Sequence, residues 1–251
     1  MTRAAVLLAA LTLLPLPARA QAPGDIQQLL KQGDDAYRKR YSEKVQWEAI
    51  FFYKEVLKLD PNNFDALWRL ARSYYSLSDT IASTKRKKEL GTEGLGYGER
   101  AAKLRPDRVE GWFYSLICLG EYSMGIGVLT ALRQGVEGKF RAWADRSMAL
   151  DPSFDYAGPP RAYGVFYMKL PWPKRDYKKA EQYLQDAKRR SPQKLRNYLY
   201  LAQLYEADGR KGDAEAMLRE CLTKDPSKED RPDGVRYLRE CKTLATKLGM
   251  Q

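Results

Sequence analysis

The chain has 251 residues, 44% hydrophobic and 30% charged, with a formal net charge of +12 and no histidine. The missing imidazole removes His general bases, His-containing triads and His metal sites together. The positive charge is scattered among acidic neighbours, which suits anionic or acidic partners and gives no basic stripe for nucleic acid.

Residues 1–20 read as an export leader. Arg3 is the positive start, Ala4 to Leu14 the apolar run, and Ala18-Arg19-Ala20 a small-x-small cleavage site. Pro15 and Pro17 interrupt the run and leave it short for a membrane span. An uncleaved N-terminal anchor is the other reading. No cysteine follows the cleavage site, so there is no lipobox, and a periplasmic chain from Gln21 to Gln251 is expected.

Beyond the leader the apolar residues recur with helical spacing. Gln32-Gly33-Asp34-Asp35-Ala36-Tyr37 belongs to a first helix, and Ala49, Tyr53 and Val56 to a second that ends at Pro61. Leu67, Leu70, Ala71 and Tyr74 lead the next unit, which closes at Pro106. Trp112, Ser115, Leu116 and Leu119 fill the same places more loosely before Pro152. Asp176 opens a helix bearing Ala180, Leu184 and Ala187, closed by Pro192. Tyr198, Leu201, Ala202 and Tyr205 come next, then the turn Asp208-Gly209-Arg210, then Ala214, Leu218, Cys221 and Pro226. A final helix is expected from about Pro232 to Leu248, its many lysines and arginines suiting the outer face of a cap.

The closing prolines stand 45, 46, 40 and 34 residues apart. The last spacing is that of the tetratricopeptide (TPR) repeat, and residues 193–226 resemble that repeat at every diagnostic position. Small residues at Ala202, Ala214 and Cys221 let two helices cross closely, while Leu201, Tyr205 and Leu218 fill the space between them. One hairpin cannot bury its apolar face alone, so hairpins stack. The fold expected is therefore all-α, a TPR-type α-solenoid of about five hairpins (25–61, 62–106, 107–152, 153–192, 193–226) with a capping helix at 230–248, and about eleven helices in all. The longer spacings imply insertions near Ser78–Lys88, Ser123–Gly135 and Leu170–Lys174. Each falls between the two helices of its unit, so all three should emerge on one side of the stack.

A narrower likeness rests on Glu93-Gly94-x-x-Tyr97-x-x-x-Ala101, Leu150-Asp151-Pro152-Ser153-Phe154, Ala157-Gly158-Pro159 and Gly164-x-x-Tyr167-x-x-Leu170-Pro171-Trp172. These resemble the TPR proteins that accompany TRAP transporters (the T component) and the related regulator-of-microtubule-dynamics group. The resemblance implies a periplasmic scaffold that associates with a solute-binding protein or handles a small ligand. T components are often lipid-anchored, and the missing lipobox departs from that.

The first helix of a TPR unit lines the inner groove, so the groove candidates come from those helices. Trp68, Arg72 and Tyr75 share a face at i, i+4, i+7. Two aromatics flanking an arginine suit a carboxylate or an apolar anion, or else simply pack against the next unit. The matching stripes are Phe113, Ile117 and Gly120 in the third unit and Leu199, Gln203 and Glu206 in the fifth. Trp172 stands in a rigid Pro-Trp-Pro turn, either anchoring a partner or plugging the end of a helix pair. The glycine-rich insert Ser123–Gly138 lacks the preceding strand and the Lys-Ser/Thr of a phosphate loop, and reads as a lid over the groove or a core-filling loop. Lys85-Arg86-Lys87-Lys88 reads as a solvated helix start or as a contact for lipid headgroups or an anionic wall polymer. Cys221 and Cys241 fall in neighbouring helices and either pair or stay as buried apolar groups, with Cys118 left over.

No nucleophile motif or acid–base pair stands out, so no catalysis, cofactor or metal is expected. The function expected is an exported scaffold that binds a protein or peptide partner in its groove, with anchors Trp68, Arg72, Tyr75, Phe113, Gln203 and Trp172. The alternative is a transporter-associated accessory that binds a small solute or a solute-binding protein.

Overall fold

Polar caps and prolines set the helix boundaries. Ser42, Asn63, Ser83 and Asp176 each accept a backbone N–H from three residues on, satisfying a donor that the first helical turn leaves free. Asp60, Arg105, Asp151 and Ser191 end the second helices of four hairpins, each just ahead of Pro61, Pro106, Pro152 or Pro192. The computed structural model describes residues 23–228 and 230–250, so the leader read at 1–20 lies outside the described residues.

The helices pair in chain order: α1 (Pro23–Arg38) with α2 (Glu43–Leu59), α3 (Phe64–Asp79) with α4 (Thr84–Leu104), and α5 (Val109–Ile126) with α7 (Val136–Leu150) across the short α6 (Val128–Arg133). Then come α8 (Phe154–Lys169) with α9 (Tyr177–Arg190), α10 (Leu195–Ala207) with α11 (Lys211–Leu222), and the cap α12 (Arg231–Lys247) behind a 3-10 turn at Pro226–Lys228. Among the described residues there is no strand. Five hairpins and a cap form the all-α solenoid that the repeat pattern implies. The additional helix beyond the expected eleven is α6.

Small residues allow the close crossings. A Cβ on Gly94 would lie 2.6 Å from Cys118 Sγ and 2.9 Å from Tyr74 Cβ, so only glycine fits where α4 meets α5 and α3. Tyr97, one turn on, stacks on Tyr74 with ring centroids 5.8 Å apart. In the regular hairpins Ala180, Leu184 and Ala187, and likewise Ala214, Leu218 and Cys221, are fully buried. A leucine such as Leu184 or Leu218 contributes about 1.5–3 kcal/mol by that burial. Cys221 and Cys241 form a disulfide between α11 and α12, with Cα atoms 6.5 Å apart, and Cys118 is a buried free thiol.

The insertions take a different form from extra loops. Most of Ser78–Lys88 is helix: α3 runs to Asp79, and Ser83 caps α4 so that Lys85–Lys88 form its first turns. In Ser123–Gly135, α5 continues to Ile126 and α6 follows, bounded by Gly127 at φ +87 and Gly135 at φ +74. Those angles lie in the left-handed region that glycine enters without steric cost. Leu170–Lys174 is a true connection, with Leu170 buried and Trp172 86% exposed.

One strained turn stands at the start of α8. Asp155, Tyr156 and Ala157 have φ of 49, 55 and 61. Residues with a Cβ cost about 1–2 kcal/mol each in that region. Arg161 holds the turn by donating to the carbonyls of Tyr156 (2.8 Å) and Asp155 (3.1 Å) and to the Asp155 carboxylate (3.1 Å). Regular helix resumes with Pro159 and Pro160 at its first positions, where a missing N–H is harmless.

Candidate functional site

The inner side of the solenoid is where a TPR protein would receive a partner, and its upper part is already occupied. Asp34 on α1 accepts from Tyr53 (2.7 Å), Arg69 (3.1 Å) and Arg72 (3.1 Å). Burial alone would push its pKa up, but the Tyr53 hydroxyl and the two guanidinium groups outweigh it and hold the carboxyl below the usual range. The Arg72 guanidinium also lies 3.7 Å from the centroid of Tyr37 and 4.9 Å from that of Trp68. Trp68 stacks on Tyr114, centroids 5.9 Å apart, and its Nε1 donates to Asp65. Of the two readings of this stripe, partner binding and packing, the contacts seen are those of packing: α1 supplies partners for Arg72, and α5 supplies the ring on which Trp68 stacks.

Below them a set of charges joins the two ends of the solenoid. Arg40 pairs with Asp230 (2.6 Å) and Asp233 (3.0 Å) and donates to Ser76 (3.2 Å). Asp79 at the end of α3 receives Arg196 (3.1 Å), Arg236 and the Tyr237 hydroxyl (2.9 Å). Lys194 reaches Asp233 at 3.4 Å. Arg40, Lys194 and Arg196 are all buried. Burial pushes the Asp79 and Asp233 pKa values up, but the surrounding cations overcome it, holding Asp79 well below the usual range and Asp233 below it. A polar crevice of about 20 Å³ lies inside this clasp.

Beside the clasp lies a cavity of about 170 Å³. From α5 it takes Phe113, Leu116, Ile117, Gly120 and Met124, and from α6 Val128, Ala131 and Leu132. From α7 come Val136 and Phe140, and from α8 Gly158, Ala162, Val165 and Phe166. Tyr75, Tyr200, Arg161 and Arg196 form the side next to the clasp. The apolar insert is therefore one wall of the cavity, with α6 positioned by its two flanking glycines.

The three insertions converge here. Glu121 on the cavity edge is bonded to Ser78 (2.8 Å) and Lys87 (2.8 Å) of the first. The second is α6 itself. Lys174 of the third pairs with Glu137 at 2.6 Å, which Arg141 also approaches at 3.0 Å. A Lys174 hydrogen bond dominates the lowering of the Glu137 pKa.

Of the sequence candidates, Tyr75 and Phe113 line the cavity together with Ile117 and Gly120 from the same stripe. Tyr75 accepts from Arg196 and so stands between cavity and clasp. Gln203 is half-buried on α10 and outside the cavity, because the cap covers that end; Glu206 beside it pairs with Lys247 of α12 at 2.6 Å. Trp172 is too exposed to plug a helix pair and does not line the cavity. Within the basic run, Arg86 is bound to Glu43 (2.5 Å) and Lys87 to Glu121. Sequence reasoning missed Lys169, Val165 and Phe166. Their i, i+4 spacing on α8 was visible, but the left-handed turn that aims this helix was not.

Stacked hairpins with small residues at each crossing define a TPR-type helical-repeat protein. Within that class the chain belongs to the regulator of microtubule dynamics protein 1-3 family, whose model matches residues 29–157. No curated protein matches the chain. Among solved structures it is similar to TTC0263, a thermophilic TPR protein of Thermus thermophilus, with 20% identity over 87% of this chain and 100% of that one and a TM-score of 0.66. Looser likenesses are MamA, 20% identical over 78% of this chain and 95% of that one with a TM-score of 0.48, and YrrB, a TPR protein with an unusual peptide-binding site, 13% identical over 90% and 94% with a TM-score of 0.46.

Proposed function

We propose that the protein is an exported, non-catalytic scaffold that binds a protein partner by taking an apolar side chain of that partner into the cavity walled by α5, α6, α7 and α8. The observation that carries this reading is the convergence of the three insertions on one apolar cavity, since per-repeat insertions on one face commonly build a binding face. A buried anchor in an apolar pocket is where interface energy concentrates. Export is supported by the leader-like residues 1–20 and by the Cys221–Cys241 disulfide, which suits an oxidising compartment such as the periplasm.

Crosslinking capture in intact cells followed by mass spectrometry tests it. Ala162→Phe, which fills the cavity from a half-buried position on α8, should abolish capture of the dominant partner while the protein stays folded. Capture at wild-type level by that variant would sink the reading. A second reading, a transporter-associated accessory that holds a small solute, is favoured by the small volume of the same cavity, about 170 Å³. It predicts a large thermal shift with one metabolite and no dominant protein partner.

A further inference from the structure

We propose that the cavity selects a segment carrying a bulky apolar side chain next to a carboxylate, and that Lys169 reads the carboxylate; this rests on the cavity being the partner site. Size limits the apolar part. A volume of about 170 Å³ is close to the roughly 150 Å³ apolar cavity that holds benzene, and well below the roughly 300–1,000 Å³ of pockets for drug-sized ligands. One aromatic or branched aliphatic side chain fills it.

Charge sets the rest. Five ionised residues line the cavity besides its apolar walls, and four are neutralised within the fold. Arg196 is paired with Asp79, Arg161 with Asp155, Glu121 with Lys87, and Glu137 with Lys174 and Arg141. Lys169, the last residue of α8, is the fifth. It is exposed, lies one turn beyond Val165 on the cavity-facing side, and has no ion-pair partner among the described residues. The mouth thus offers one uncommitted positive charge and no uncommitted carboxylate. An occupant with an anion beside its apolar group gains an ion pair there, whereas one with an amine meets the like charge of Lys169 and carboxylates already paired within the fold. The anion is either a chain-terminal carboxylate or the side chain of an adjoining acidic residue.

Three peptides distinguish these cases on the full chain with its disulfide intact: N-acetyl-phenylalanine, N-acetyl-Phe-Asp-amide and N-acetyl-phenylalaninamide, with Kd read by titration calorimetry or ligand-observed NMR. The carboxylate-bearing probes should bind at least about threefold more tightly than the neutral amide, the scale of a partly exposed ion pair. Lys169→Gln should remove that preference without weakening the amide, and raising salt to about 0.5 M should shrink it. Preference for only one acid identifies the source of the anion. Equal binding of all three to the wild type overturns the role of Lys169 and leaves the cavity reading standing. Binding of none, or binding undiminished in Ala162→Phe, overturns both.

Discussion

Two compartments share the inner side of this solenoid, with Tyr75, Arg161 and Arg196 lining both, and they are built on opposite principles. The clasp is dense with charge and nearly full; the cavity beside it is apolar and open. In the clasp Arg40, Lys194 and Arg196 each have a carboxylate within about 3.5 Å, so their desolvation is offset inside the molecule. In the cavity the walls are mostly apolar, and Lys169, without an ion-pair partner among the described residues, is at the edge. The concave face of a repeat protein is thus not one groove. Where the ends of the solenoid meet it has become core, and where the insertions gather it leaves an apolar cavity.

Breaking the clasp should have the largest effect. Asp79→Asn leaves Arg196 and Arg236 without their carboxylate, and removal of one partner from a buried pair costs about 3–5 kcal/mol. Denaturant unfolding should show that loss. A change below about 1 kcal/mol would mean that the clasp is not what joins the two ends. The disulfide secures the cap that supplies Arg236 and Tyr237, closing a loop across a sequence separation of 20. Chain entropy makes it worth about 3 kcal/mol. Reduction, or Cys221→Ala with Cys241→Ala, should lower stability by about that amount in the same assay.

Acid should separate the compartments in one titration. The Asp79 and Asp233 pKa values are depressed in the folded state, so their stabilisation is complete above the unfolded value of about 3.9 and is lost as pH falls below it toward the folded values. The melting temperature should therefore hold between about pH 7 and pH 5 and drop below about pH 4. Asp79→Asn should flatten that drop, and Ala162→Phe, which removes no ion pair of the clasp, should keep it.

How legible each compartment was in the sequence follows from how local its cause is. The hairpins were legible because Ala180, Leu184 and Ala187, and again Ala214, Leu218 and Cys221, state a helix crossing within one turn or two. Half of the cavity was legible for the same reason, since Phe113, Ile117 and Gly120 form one stripe and the glycine-flanked run around Ala131 announces an apolar insert. Its other half comes from α8, whose direction depends on the left-handed turn at Asp155–Ala157, and no periodicity encodes that. The clasp was invisible. Arg40 and Asp230 stand 190 residues apart, and their meeting sums the small rotations of every hairpin between them. The shared face of Trp68, Arg72 and Tyr75 was legible from their spacing, but nothing local marked Asp34, on another helix, as the partner of Arg72.

The smallest expected effect sharpens the comparison from outside both compartments. Trp172 is the most exposed of the large hydrophobic residues among those described, and an exposed tryptophan in a rigid turn invites the view that it anchors a partner. Exposure alone is weak support, because single apolar side chains on a surface are ordinary. The anchors of an interface are those that become desolvated in a pocket, and the pocket here lies elsewhere. Trp172→Ala should change stability by less than about 0.5 kcal/mol and leave partner capture intact, whereas Ala162→Phe should leave stability within about 1 kcal/mol and abolish capture. If the two variants exchanged these outcomes, the insertions would have built a display loop, and the cavity would be only a packing defect between α5 and α8.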